Sequence, residues 1–235
     1  MMKHSSHFNA MKTPASRFFR GLGIFGFLSL ALVLGGCLLR PSMKTQTFAF
    51  TAPLHVATNS AADDRVLSIR TLQIAPPFDQ RALVYRTGDF SYEPDPYAEF
   101  LSSPAQELTA AISGILSADG CFHAVVGMGS AARPDTLVEI DISQLYGDIR
   151  KPGSPYAVLA LQVIFVNATN GLPRDVIFQR DYSRRIPVQS PTAAAFVKGW
   201  NQALVEIFAE VASDFRSREQ ATNRPGSDFR EQNVL

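Results

Sequence analysis

Few residues in this chain have the type and spacing that covalent, acid–base or metal chemistry needs. His55 and His123 are the only histidines beyond the first ten residues. Cys121 and His123 stand two apart, so one strand face could carry both, but a zinc site takes about four ligands and no second cluster exists. Gly127-Met128-Gly129-Ser130-Ala131-Ala132 fits the spacing of a dinucleotide loop. That loop works only where a helix starts behind it and turns its amides to the pyrophosphate. Arg133-Pro134-Asp135 and an alternating strand follow instead, so a glycine-rich loop is expected. Glu139 and Asp141 would share a strand face, yet alternation alone puts acids on a wet face, with nothing apolar to raise their pKa. Arg184-Arg185 could meet a phosphate or simply be surface, and Asn167-Ala168-Thr169 has glycosylation-acceptor spacing. The G-x-S-x-G elbow and the Walker pattern are both absent. These residues predict no enzyme, no metal and no cofactor.

One cysteine is different. Leu34-Gly35-Gly36-Cys37 closes an uncharged, apolar run from Gly21 to Gly36, and Lys12, Arg17 and Arg20 precede that run. A basic segment followed by a short apolar one is the layout of a secretory signal, too short to span a bilayer. The tetrapeptide resembles a bacterial lipobox, in which small residues before the Cys admit the peptidase and the thiol receives acyl chains. Residues 1–36 are therefore expected to be a lipoprotein signal peptide and Cys37 the lipidated N-terminus. The other reading is an ordinary signal with a Cys near its end. Met11-Lys12 offers an alternative start. Leu38 after the Cys, in place of Asp, points to the outer membrane, with the body facing the periplasm.

What remains after residue 36 is 199 residues with 18 Lys and Arg against 21 Asp and Glu, a net charge of −3. That is enough chain for one domain with a real core, and an acidic balance argues against nucleic acid as a partner. With Cys37 acylated, Cys121 has no intramolecular partner; beside Phe122 and Val125 it reads as a buried thiol, with an intermolecular bridge as the alternative.

The body needs elements to position these groups. Residues 37–62, rich in Thr, Ser, Ala and Pro, read as a flexible membrane tether; residues 63–216 as the folded domain; and 217–235 as a polar tail. Strands are expected at Arg65–Ile74, Ala82–Arg86 and Phe90–Glu93, the last two joined as a hairpin by Thr87-Gly88-Asp89. A helix follows, with Ser103 as N-cap, Pro104 at the first position, Gln106 completing a capping box and Gly120 as the stop. Leu108, Ala111, Ile112, Ile115 and Leu116 form its apolar stripe. Four strands come next, at Cys121–Val126, Thr136–Leu145, Tyr156–Val166 and Arg174–Tyr182. A long helix, capped by Ser190 and opened by Pro191, closes the body. Its stripe of Phe196, Trp200, Ala203, Leu204, Ile207, Val211 and Phe215 should face the core. The class is α+β: a mainly antiparallel, mixed sheet with two helices on one face.

Laid out this way, the body resembles the ABC-type transport auxiliary lipoprotein family over about residues 63–215. The carrying residues are Leu67-Ser68-Ile69-Arg70, the break Pro76-Pro77-Phe78-Asp79, Leu83-Val84-Tyr85-Arg86, and the aromatic segment Tyr92–Phe100 leading into Ser103-Pro104-Ala105-Gln106-Glu107-Leu108. Phe100 stands where the family would place a Trp. The resemblance implies a non-enzymatic lipoprotein that accompanies an envelope ABC transporter and its MCE-domain protein, in systems moving lipids or other hydrophobic molecules. MCE and ABC subunits would be its partners, and a homo-oligomer is possible. Two other readings stand beside it: a module that binds lipid or a small molecule as its own cargo, and a structural envelope lipoprotein. Phe90, Tyr92, Tyr97 and Phe100 are the candidates for partner contact, the alternative being that they pack on the first helix.

Overall fold

The computed structural model describes residues 44–51, 63–127, 130–169 and 172–222. The segment expected as a signal peptide, Cys37, His55, Met128-Gly129 and the residues beyond Thr222 lie outside these. Eight strands and two helices run in the order β1 (Gln46–Phe48), β2 (Asp63–Ile74), β3 (Ala82–Arg86), β4 (Tyr92–Phe100), α1 (Pro104–Asp119), β5 (Phe122–Val126), β6 (Thr136–Asp148), β7 (Tyr156–Thr169), β8 (Leu172–Pro187) and α2 (Ala193–Thr222). The class is α+β, with both helices packed against one mixed sheet.

Strand β6 organises the sheet. Along one edge it pairs antiparallel with β7 over its whole length, and β7 pairs in turn with β8. Its other edge is shared: β2 lies parallel to Thr136–Ile142, and β3 lies parallel to Gly147–Asp148. A register shift between Ile142 and Gln144 falls between these two stretches. A bulge adds a residue and bends the strand, which lets β6 change partners there. The sheet thus forks, with β5 outside β2 and β4 then β1 outside β3. The β6–β7 and β7–β8 ladders are antiparallel and the longest; the pairings of β2, β5 and β1 are parallel.

The predicted helices form where their patterns put them. Ser103 accepts from the Gln106 amide at 3.3 Å, and Gly120 ends α1 at φ 72°, a left-handed conformation that glycine adopts without strain. The return half of the cap differs from expectation. Glu107, not Gln106, reaches back, accepting from the Ser102 amide at 3.1 Å and the Phe50 amide at 3.3 Å. In α2 the first turn starts at Ala193, and Thr192 supplies the cap: its hydroxyl accepts from the Ala195 amide at 3.4 Å and its carbonyl from the Phe196 amide. Ser190 and Pro191 precede the helix rather than opening it.

The chain boundaries also move. Within the segment expected as a tether, Gln46–Phe48 is an edge strand parallel to β4, Phe50 is buried, and the Thr51 amide donates to Asn201 Oδ1 at 2.8 Å. A three-residue strand leaves no periodicity to read, so only the partner across the sheet reveals it. At the other end α2 continues through the expected tail as far as Thr222.

The core lies between sheet and helices. All five stripe residues of α1 and all seven of α2 are buried. Trp200 donates its indole N–H to the Tyr146 carbonyl at 3.2 Å, which satisfies a polar group that burial would otherwise leave costly. Phe122, Phe165 and Phe215 form a stacked and tilted cluster with centroids 4.7–6.2 Å apart. Phe50, Phe100, Trp200 and Phe196 make a second run.

Candidate functional site

The aromatic segment expected to contact partners divides sharply. Phe100 is not available: it is 2% exposed, stacks on Phe50 with centroids 5.3 Å apart, and sits 6.1 Å from Trp200. Strand β4 carries it inward because the Phe50 ring and α2 close over that end of the strand. Tyr92 keeps 39% exposure but leans on Phe78 and Tyr146 at 5.6 and 5.4 Å. Tyr97 is half exposed, and Phe90 is 98% exposed.

These exposed rings stand on a fixed frame. The β3–β4 hairpin closes through the Thr87 amide, which donates to the Ser91 carbonyl at 3.0 Å. Arg86 lies 5.7 Å over the Tyr92 ring and donates to the carbonyls of Gly88 at 3.2 Å and Asp89 at 2.7 Å. From the far side Arg150 reaches the Asp89 carboxylate at 3.0 Å. Farther along β4, Ala82 pairs with Glu99 while Val84 pairs with Pro94. The extra β4 residues loop out as a wide bulge. Asp95 pins it, accepting from the Tyr97 amide at 2.8 Å and from the Tyr85 hydroxyl at 2.9 Å. Burial, with the Asp95 contact second, pushes the Tyr85 hydroxyl well above its ordinary pKa.

Behind the hairpin lies a charged knot that the amino-acid pattern did not announce. Asp148, 3% exposed at the end of β6, accepts from Arg150 at 3.0 and 2.9 Å and from Arg185 at 2.9 Å. The hydrogen bonds from Arg150 hold its carboxyl below the usual carboxylate range against the opposing effect of burial. Arg185 in turn lies 4.2 Å over the Tyr156 ring. The one local signal was the i, i+2 spacing of Asp148 and Arg150; Asp89 and Arg185 arrive from distant parts of the chain.

The remaining candidates have structural places. Arg184 and Arg185 separate: Arg184 pairs with Glu210 and Glu206 on α2, at 2.6 and 3.4 Å, while Arg185 goes to Asp148. Glu139 pairs with Arg70 at 2.6 Å, and Asp141 is exposed, so they form no carboxylate dyad. His123 is exposed and Cys121 buried. Burial, the largest influence, raises the Cys121 thiol above its ordinary pKa, which disfavours the reactive thiolate. Among the described residues no three His, Cys, Asp or Glu side chains gather as a metal site. Among the described residues between Gly127 and β6, Ser130 to Asp135, none is helical.

One family model matches this chain, and solved structures share its fold. A comparison with curated proteins finds no match. The solved structure of protein XCC0632 from Xanthomonas campestris superposes with a TM-score of 0.62 at 18% identity, covering 77% of this chain and 100% of that one. An uncharacterized protein of known structure gives 0.58 at 15% identity, covering 73% and 99%. At such identities the likeness speaks for the fold. The model of the ABC-type transport auxiliary lipoprotein component matches residues 48–212, a span that takes in β1's last residue, the hairpin, the Asp148 knot and most of α2. The chain therefore belongs to the ABC-type transport auxiliary lipoprotein family.

Proposed function

We propose that this protein is a lipid-anchored docking component of an envelope ABC transport system. Cys37 is its acylated N-terminus and the outer membrane its anchor. Its body stands in the periplasm beside an MCE-domain protein and ABC subunits, in a system moving lipids or other hydrophobic molecules. Family membership supports the transport association. The observation that carries the docking role is the filled interior: Phe50, Phe100, Phe196 and Trp200, with Phe122, Phe165 and Phe215, occupy the layer between sheet and helices where a fold of this type would house a cargo. The cleft between the end of β8 and the start of α2, lined by Ile186, Val188, Lys198 and Gln202, has a volume of about 300 Å³, the lower limit of small-molecule pockets. Several acyl chains at roughly 0.8 kcal/mol per methylene hold such a body firmly at a bilayer. The exposed edge of Tyr92, beside Phe78 and Tyr146, is its partner-contact surface.

The test is crosslinking of the tagged full chain in native membranes, followed by mass spectrometry, beside Cys37→Ser. An MCE protein and ABC subunits among the captured partners, lost or reduced in Cys37→Ser, are the expected result. Capture of wall or porin components alone would replace the transport role with a structural one.

A further inference from the structure

Among the described residues Phe90 is the most exposed large apolar side chain. The backbone beneath it is held by the Thr87–Ser91 hydrogen bond, by Arg86 on the Asp89 carbonyl and by Arg150 on the Asp89 carboxylate. A loose loop could fold such a ring inward; this one holds it out.

The course of the chain says what lies in front of it. Strand β1 runs parallel to β4, with Gln46 beside Ala98 and Phe48 beside Phe100. Because β4 runs away from the hairpin tip, the chain enters β1 from the tip side. Thr47 is level with Glu99 and hence with Ala82. From there β3 rises about 13 Å to Arg86, at ~3.3 Å per residue, and the tip stands a few ångströms farther. The link from Cys37 to Gln46 can span at most ~30 Å. The end of the body within easy reach of the lipid anchor is therefore the hairpin end. The same end carries the β6–β7 turn with exposed Lys151, suited to anionic headgroups. The end of β7 and the start of β8, with exposed Leu172, lie at the opposite end of the sheet.

We propose that the β3–β4 hairpin tip is a membrane-contact element: Phe90 sits in the interfacial layer of the bilayer that holds the Cys37 acyl chains. Tyr97, on its pinned bulge, stands nearer the headgroup level, where amphipathic rings are at home. The inference rests on anchoring at Cys37. A single ring binds a membrane weakly, but the anchor makes its contact intramolecular and so raises its effective concentration. The contact sets the tilt of the body against the bilayer.

Brominated-lipid quenching tests this. The full chain is purified from membranes and reconstituted in phosphatidylethanolamine–phosphatidylglycerol vesicles with bromine-labelled acyl chains. Wild type carries one Trp, the buried Trp200, so the added emission of Phe90→Trp and, at the far end, of Leu172→Trp is read by difference. The Phe90→Trp emission should shift to the blue and be quenched about twofold or more, and the Leu172→Trp emission should be unchanged, as an interfacial ring requires. If the chain floats with the vesicles and neither variant is quenched, the tip faces water or a protein and the proposal falls. If the chain does not float, the anchoring reading falls and takes this inference with it.

Discussion

Between the sheet and its helices Phe122, Phe165, Phe178 and Phe215 pack ring against ring, each 6% exposed or less. At the hairpin tip Phe90 is 98% exposed on a backbone tied down at several points. The same side chain serves opposite ends in the two regions. Inside, rings remove area from water and fill the volume a cargo would need. Outside, polar groups spend their hydrogen bonds keeping one ring in reach of something else. A carrier would invert this arrangement, with a roomy interior and a smooth exterior.

The sharpest way to break the inner region is Trp200→Ala. It removes a fully buried ring between Phe100 and Phe196 and leaves the Tyr146 carbonyl without its donor. A loss of about 3–5 kcal/mol is expected, read as a lower urea midpoint.

Asp148→Asn strikes the frame behind the hairpin and should cost about 1.5–3 kcal/mol, since two arginines lose a charged acceptor. Both arginines keep access to water, which holds the loss within that range. Because the folded carboxyl titrates below its ordinary value, its contribution is complete above an unfolded pKa of about 3.9 and is lost as pH falls through the folded value. Wild type should therefore lose thermal stability more steeply than Asp148→Asn on acidification below about pH 4.

Gly199→Ala probes the close approach of α2 to β7, where an added methyl would fall 2.6 Å from the Ala157 Cβ and 3.1 Å from Val188 Cγ1. Overpacking of about 1–3 kcal/mol is expected, measured by the same urea unfolding. Phe90→Ser should do the least, a change within about 0.5 kcal/mol in the isolated protein. A larger loss would mean that the ring serves the fold and not a contact.

Much of the inner region was legible in the chain. The stripes Leu108 to Leu116 and Phe196 to Phe215 repeat at helical spacing, and a repeat reports on burial whatever lies opposite. The hairpin was legible because Thr87-Gly88-Asp89 is local turn chemistry. The parallel pairings of β1, β2 and β3 were not, because a strand's alternation does not name its neighbour or its direction. Phe100 and Phe90 could not be told apart for a related reason: both are rings near the ends of one strand, and only Phe50 folding over Phe100 decides which is buried. The Asp148 knot joins β6, two loops and β8, a convergence whose one linear trace is the Asp148–Arg150 spacing.

In the role proposed, this protein positions a transport system at the membrane and does not itself carry the cargo. Native mass spectrometry of the full chain released from membranes addresses it most directly, with lipid extraction of the same sample. Acyl chains covalently bound at Cys37, and no stoichiometric lipid held without a covalent bond, are the predicted result. One non-covalently bound lipid per chain, retained in Cys37→Ser, would contradict it and make the protein a carrier.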